Sequence, residues 1–145
     1  MIVAIDPGTK ESGVVLFDGE RVLEAGVFAN YRVLDILRES SHPLAIEMIA
    51  SYGMAVGREV FETCVWIGRF IEASKAPGDV RLIYRKDVKM HLCGTPRAKD
   101  PNIRQALIDK LGPQGTKKEP GPTYGVKSHA WAALAVAVTA KEVAA

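Results

Sequence analysis

The chain has 145 residues and a mass of 15.7 kDa, is 48% hydrophobic and 25% charged, and carries a formal net charge of +2. That is enough for a single domain, expected over residues 1–145, with a core of its own. No stretch approaches the roughly 18 consecutive apolar residues of a membrane span, and Met1 leads into a strand-like segment instead of a basic and then apolar leader, so a soluble chain with no membrane partner is expected. The charge is unevenly spread: Arg85 to Lys127 holds ten Lys or Arg against four acids, leaving nine bases and thirteen acids elsewhere. Such a split suits one face that meets a polyanion and another that carries carboxylates. Cys64 and Cys93 sit in helix-like segments outside any CxxC pair and read as packed, reduced thiols.

In chain order, Ile2–Ile5 and Gly13–Phe17 are short apolar runs bounded by turn residues, and Asp18-Gly19 is a hairpin signal before the alternating segment from Arg21 to Phe28. These make a three-strand antiparallel meander. Val33, Ile36 and Leu37 mark a short helix over Tyr31–Glu39. Leu44–Met48 reads as a fourth, buried strand. Val56, Val60, Phe61, Cys64, Val65, Gly68 and Ile71 recur at helical spacing over about Ala55–Ala73. Val80–Tyr84 is a fifth strand, followed by helical stretches around Asp87–Leu92 and Pro101–Leu111, the second capped by Asp100 with proline just inside. Gly112–Gly125, with three prolines and four glycines, is expected as a mobile loop. Ser128–Ala144 is Ala-rich, with Ser128 as cap and an inner stripe of Leu134, Ala135 and Val138. Antiparallel strands followed by crossover strands predict an α/β fold with a mixed five-stranded sheet flanked by helices.

Two acids end apolar strands, Asp6 in "VAIDPGTK" and Glu47 in "LAIEM". If those strands are neighbours, both carboxylates emerge at one edge, repel, raise each other's pKa and are best stabilised by a divalent cation. Oxygen donors favour Mg²⁺ or Mn²⁺. A pair of such ions serves phosphodiester cleavage. His129 stands in the first turn of the last helix, and Trp131 beside it reads as packing.

These segments together resemble the RuvC-type Holliday junction resolvases of the RNase H-like superfamily, in a phage-like form, over nearly the whole chain and in order. "VAIDPGTKESGVVLFD" is similar to the first hairpin with its metal-binding Asp6. "LAIEMIASYGMAVGREVFETC" is similar to the strand carrying the second acid, Glu47, and its long helix. "KDVKMHLCGTPRAKD" resembles the segment from which two lysines approach DNA, matched by Lys89 and Lys99, with Arg85, Lys86 and Arg97 as further DNA-binding candidates. "KSHAWAALAVAVTA" resembles the helix whose start supplies the remaining ligands: His129 fills the first place, while Ala132 stands where an aspartate is expected.

The resemblance implies an RNase H-like fold and a catalytic set of Asp6, Glu47, His129 and position 132, with Asp6, Glu47 and His129 as metal ligands and two Mg²⁺ or Mn²⁺ ions in an intact site. It implies hydrolysis in branched DNA such as a four-way junction by a cytoplasmic homodimer in a bacterial or phage-infected cell, the long helix after Glu47 forming the dimer face. Tyr52 is the candidate aromatic for stacking at an opened junction, where such contacts are worth roughly 1–3 kcal/mol per base. Ala132 leaves three accounts open: an inactivating substitution, a three-ligand site, or a protein that binds junctions without cutting. A rival is the small RNase H-like nuclease that trims ribosomal RNA precursors, which shares the Asp-x-Gly-Thr-Lys opening but lacks the Lys89–Gly94–Lys99 block. Actin-like ATPases and sugar kinases share the Asp-Pro-Gly-Thr loop but need a second glycine-rich phosphate loop and a longer chain.

Overall fold

The computed structural model describes residues 1–143; the expected end of the last helix at Ala144 lies outside them. Strands β1 (Ile2–Asp6), β2 (Glu11–Phe17) and β3 (Val22–Ala29) form the expected meander, and α1 (Asn30–Glu39) leads into β4 (Leu44–Met48). Helix α2 (Arg58–Ala73) and a short 3₁₀ turn connect to β5 (Arg81–Tyr84), and α3 (Arg85–Cys93), α4 (Asp100–Leu111) and α5 (Ala130–Glu142) complete the order. The sheet runs β3-β2-β1-β4-β5, antiparallel through the meander and parallel from β1 to β4 and from β4 to β5. No helix among the described residues is long and apolar enough to cross a membrane.

Period-two alternation divides the core into two layers. Val3 and Ile5 of β1 and Leu44 and Ile46 of β4 pack with Val33, Leu34 and Leu37 of α1 and Ile67 and Phe70 of α2. Ile2, Ala4 and Ala45 point the other way, toward Val88 of α3, Ile103 and Leu107 of α4, and α5. Asp6 and Glu47, each two residues beyond Ala4 and Ala45, therefore emerge on the α5 side.

Helix α5 departs from the inner stripe read from its sequence: every residue from Ala130 to Ala140 is buried except Ala132. It lies on β1 and β2 with α3 and α4 at its flanks, and a helix enclosed on all sides must be apolar all round. Its alanines allow the close approach. At its start, a Cβ on Gly13 would collide with the carbonyl oxygen of His129, so glycine is required where β2 meets α5.

Three local expectations are corrected. Ser128 does not cap α5: it adopts φ 52°, His129 takes the cap position, and no side chain caps the helix. The backbone itself turns the chain there, with the Trp131 N–H donating to Ser128 O at 3.1 Å. At α4 the cap moves one residue, to Lys99, whose N–H donates to Asn102 Oδ1 at 2.9 Å; this leaves the Asp100 carboxylate out of the cap. The stretch 112–125 is tied across by an isolated Gly115–Pro120 bridge and by the Gly121 N–H donating to Gln114 O at 2.8 Å.

Candidate active site and basic groove

The parallel register Ile5↔Ile46 sets Asp6 beside Glu47 at the carboxyl edge of the sheet. Both carboxyls are largely buried, their side chains 15% and 13% exposed. Burial pushes Asp6 above the usual carboxylate range; a hydrogen bond with Glu47 and the Arg85 charge pull it back, and the Asp100 charge adds to the rise. Glu47, desolvated and facing both the charge and the hydrogen bond of Asp6, is pushed up to about 8 despite Arg85. Each carboxyl thus makes ionisation of the other harder. Like charges in a low-dielectric setting cannot both ionise without a compensating cation.

The β1–β2 turn beside Asp6 is built by residues that the sequence reading passed over. Gly8 N–H donates to Ser12 Oγ at 3.1 Å, Ser12 Oγ donates to Asn30 Oδ1 at 2.6 Å, and Asn30 Nδ2 returns to Gly8 O at 2.9 Å. Ser12 and Asn30 are buried, so this closed network holds the Pro7–Lys10 turn rigid next to the acid. Asn30 closes β3 and opens α1, eighteen residues from Ser12 in the chain; no local spacing announces the contact.

Around the pair stand Arg85, Asp100 and His129. One guanidinium nitrogen of Arg85 lies 3.3 Å from Glu47 Oε1, and its other terminal nitrogen bonds Asp100 Oδ1. His129 Nδ1 is 3.3 Å from Asp6 Oδ2, with the imidazole 66% exposed. Ala132 faces the same region, in a cavity of about 220 Å³ lined by Arg85, Asp100, Arg104, His129 and Trp131. The indole of Trp131 is mostly buried as expected, with the Arg104 guanidinium 5.4 Å from its ring centre.

The donors suit a hard divalent cation in type: two adjacent, desolvated carboxylates with an imidazole beside them. In number they fall short, because among the described residues no three His, Cys, Asp or Glu side chains are gathered as a metal-holding group. Asp6 and Glu47 are the residues that would hold a metal, with His129 next.

Of the residues expected to meet DNA, Tyr52, Arg85, Lys86 and Lys89 line one groove of about 420 Å³ with Pro96. Tyr52 sits at φ 48° beside Gly53 at φ 82°, a turn that leaves its ring 57% exposed. Arg85 borders both this groove and the cavity at Ala132. Arg97 and Lys99 are exposed on the α3–α4 connection and line neither. The free thiols Cys64 and Cys93 lie on α2 and α3, away from the acids.

The strand order, the flanking helices and the strand-end acids define an RNase H-like α/β fold of the RuvC type. Two solved structures share it: Thermus thermophilus RuvC, at 24% identity and TM-score 0.67 over 95% of this chain and 91% of that one, and T. thermophilus RuvC in complex with a Holliday junction substrate, at 24% identity and TM-score 0.66 over 95% and 90%. No family model and no curated protein matches the chain.

Proposed function

We propose that this chain is a structure-selective DNA endonuclease of the RuvC type that hydrolyses phosphodiester bonds in four-way or otherwise branched DNA. The observation that carries the reading is the Asp6–Glu47 pair at the sheet edge, whose Glu47 is hydrogen-bonded by Arg85, a residue that also lines a groove with Tyr52, Lys86 and Lys89. An anionic backbone lying in that groove would meet Arg85, the residue that contacts Glu47. A fold shared with a RuvC seen in complex with a Holliday junction substrate makes branched DNA the first substrate to test. Bound divalent cations, Mg²⁺ or Mn²⁺, would supply water activation and leaving-oxygen stabilisation; Asp6, Glu47 and His129 would hold them. Arg85, Lys86 and Lys89 neutralise phosphates, Tyr52 offers its exposed ring to an unstacked base, and Arg97 and Lys99 extend the basic surface along the α3–α4 connection.

A homodimer fits α2. Arg58, Phe61, Val65, Gly68 and Glu72 form one exposed stripe at alternating spacings of three and four, with Phe61 and Val65 62% and 64% exposed. Two copies crossing antiparallel at Val65 would set Arg58 against the partner's Glu72 and Phe61 against the partner's Gly68, an isologous contact with opposite charges paired.

The test is cleavage of a four-way junction by the purified chain in Mg²⁺ or Mn²⁺, with linear duplex as control. Nicking of the junction that falls by on the order of 10²-fold or more in Asp6→Asn and Glu47→Gln, with junction binding kept, supports the proposal. Equal affinity for junction and duplex at about 0.15 M salt removes it, because phosphate charge alone would then explain binding. A second reading, a protein that binds junctions without cutting, is favoured by Ala132; tight, selective binding with no cleavage would establish it.

A further inference from the structure

We propose that the cavity between α4 and the start of α5 is a phosphate pocket, in which Arg104 and Arg85 take a backbone phosphate of the DNA strand. The cavity shares Arg85 with the groove of Tyr52, Lys86 and Lys89. The inference rests on the DNA-binding reading above and adds Arg104 to the residues that meet the strand.

The cavity has a volume of about 220 Å³, below the roughly 300–1,000 Å³ of a pocket that encloses a drug-sized ligand, so it suits a phosphate group better than a whole flipped nucleotide. Its charged lining is two guanidinium groups and one carboxylate, with the Ser128 hydroxyl and the His129 ring as further polar groups. That carboxylate, Asp100, is bonded to Arg85, which leaves the charge of Arg104 unanswered. Among the described residues Arg104 makes no ion pair; its guanidinium lies over the ring of Trp131, 5.4 Å from the centre. The indole is 9% exposed and so a fixed platform. Contact with a ring face uses none of the guanidinium N–H donors, which stay available to an anion in the fork geometry that matches phosphate. Ala132, the one position between Ala130 and Ala140 that is not buried, adds a wall with neither bulk nor charge. Two lining residues also touch the strand-end acids: His129 Nδ1 is 3.3 Å from Asp6 Oδ2, and Arg85 is 3.3 Å from Glu47 Oε1. A phosphate held between Arg85 and Arg104 therefore belongs to a strand lying beside that pair. Entering, it competes with Asp100 for Arg85, and the Asp100 side chain, 80% exposed, gives way to solvent at little cost.

The experiment has two arms, both in EDTA so that no metal ion contributes. In the first, affinity for a four-way junction is measured for the wild type, Arg104→Gln and Arg104→Lys between about 0.05 and 0.2 M salt. Arg104 is exposed on α4, so both variants are expected to fold, and far-ultraviolet circular dichroism checks that they do. A phosphate contact makes Arg104→Gln bind about tenfold more weakly, with the slope of log affinity against log salt smaller by about one, while Arg104→Lys keeps the slope. In the second arm inorganic phosphate is titrated into the DNA-free chain and the backbone amide resonances of Trp131 and Ala132 are followed; saturable shifts are expected in the wild type and their loss in Arg104→Gln. Unchanged junction affinity and slope in Arg104→Gln overturn the proposal. So does a loss of affinity at unchanged slope, which would make Arg104 a packing partner of Trp131 alone, and so do phosphate shifts that survive Arg104→Gln. If the wild type binds no DNA while the phosphate shifts appear and depend on Arg104, the pocket is upheld as a phosphate site and it is the DNA-binding function that fails.

Discussion

The strand side and the helix side of the candidate site are built to different standards. Asp6 and Glu47 sit on adjacent parallel strands whose register leaves them no freedom to separate, and both are desolvated. His129 and Ala132 sit at the start of a helix entered through a left-handed serine, with the imidazole mostly in solvent and no donor at position 132. Electrostatic stress lies on the strand side, where burial and mutual repulsion raise the pKa of both carboxyls. Less of it falls on the helix side, where the His129 imidazole lies mostly in solvent.

The contrast breaks most severely at Gly13, where the two sides meet. Gly13→Ala places a methyl against the His129 carbonyl and should cost about 1–3 kcal/mol of stability, read by thermal unfolding, with α5 displaced and junction cleavage reduced along with it. A variant as stable and active as the wild type would show that the helix start is not held by this contact.

The next effect is pH-dependent and belongs to the strand side. The Glu47 carboxyl holds its proton up to about pH 8 in the folded chain but releases it near 4.5 when unfolded, so between those values the native state binds more protons and stability falls as pH rises. Glu47→Gln removes that dependence. It should be more stable than the wild type above pH 8 by on the order of 1–3 kcal/mol and nearly equal to it below pH 4.5, as measured by denaturant unfolding across pH. Parallel stability curves for the two proteins would contradict the buried, mutually repelling pair.

The smallest effect is expected from His129→Ala. The side chain is 66% exposed, so the melting curve should move by less than about 0.5 kcal/mol, while Mn²⁺ affinity weakens. A large loss of stability would mean that the helix side is as tightly built as the strand side.

Much of this was legible in the residues. Short apolar runs bounded by turn residues placed Asp6 and Glu47 at strand ends, because such runs are local properties that survive into the fold; that the two strands are neighbours was only a condition of the reading, and the parallel β1–β4 pairing meets it. Tyr52, Lys86 and Lys89 were expected at DNA, and the groove they share with Arg85 gathers them. Other features were not legible. The Ser12–Asn30 network depends on where α1 begins relative to the first turn. The inner stripe read on α5 missed its burial on every side, since alanine carries almost no periodic signal. Ser128 has the residue type of a cap but not the backbone of one.

What the sequence by itself determined is that Asp6 and Glu47 each end an apolar strand, and that position 132 carries no donor. Both follow from residue identity and the geometry of extended chain. Only the tertiary structure decided that Arg85 joins Glu47 to Asp100 and that Asp100 shares a cavity with Ala132. Those contacts depend on how α3, α4 and α5 pack over the sheet, and packing is set by shape between distant segments, for which no spacing along the chain is a measure.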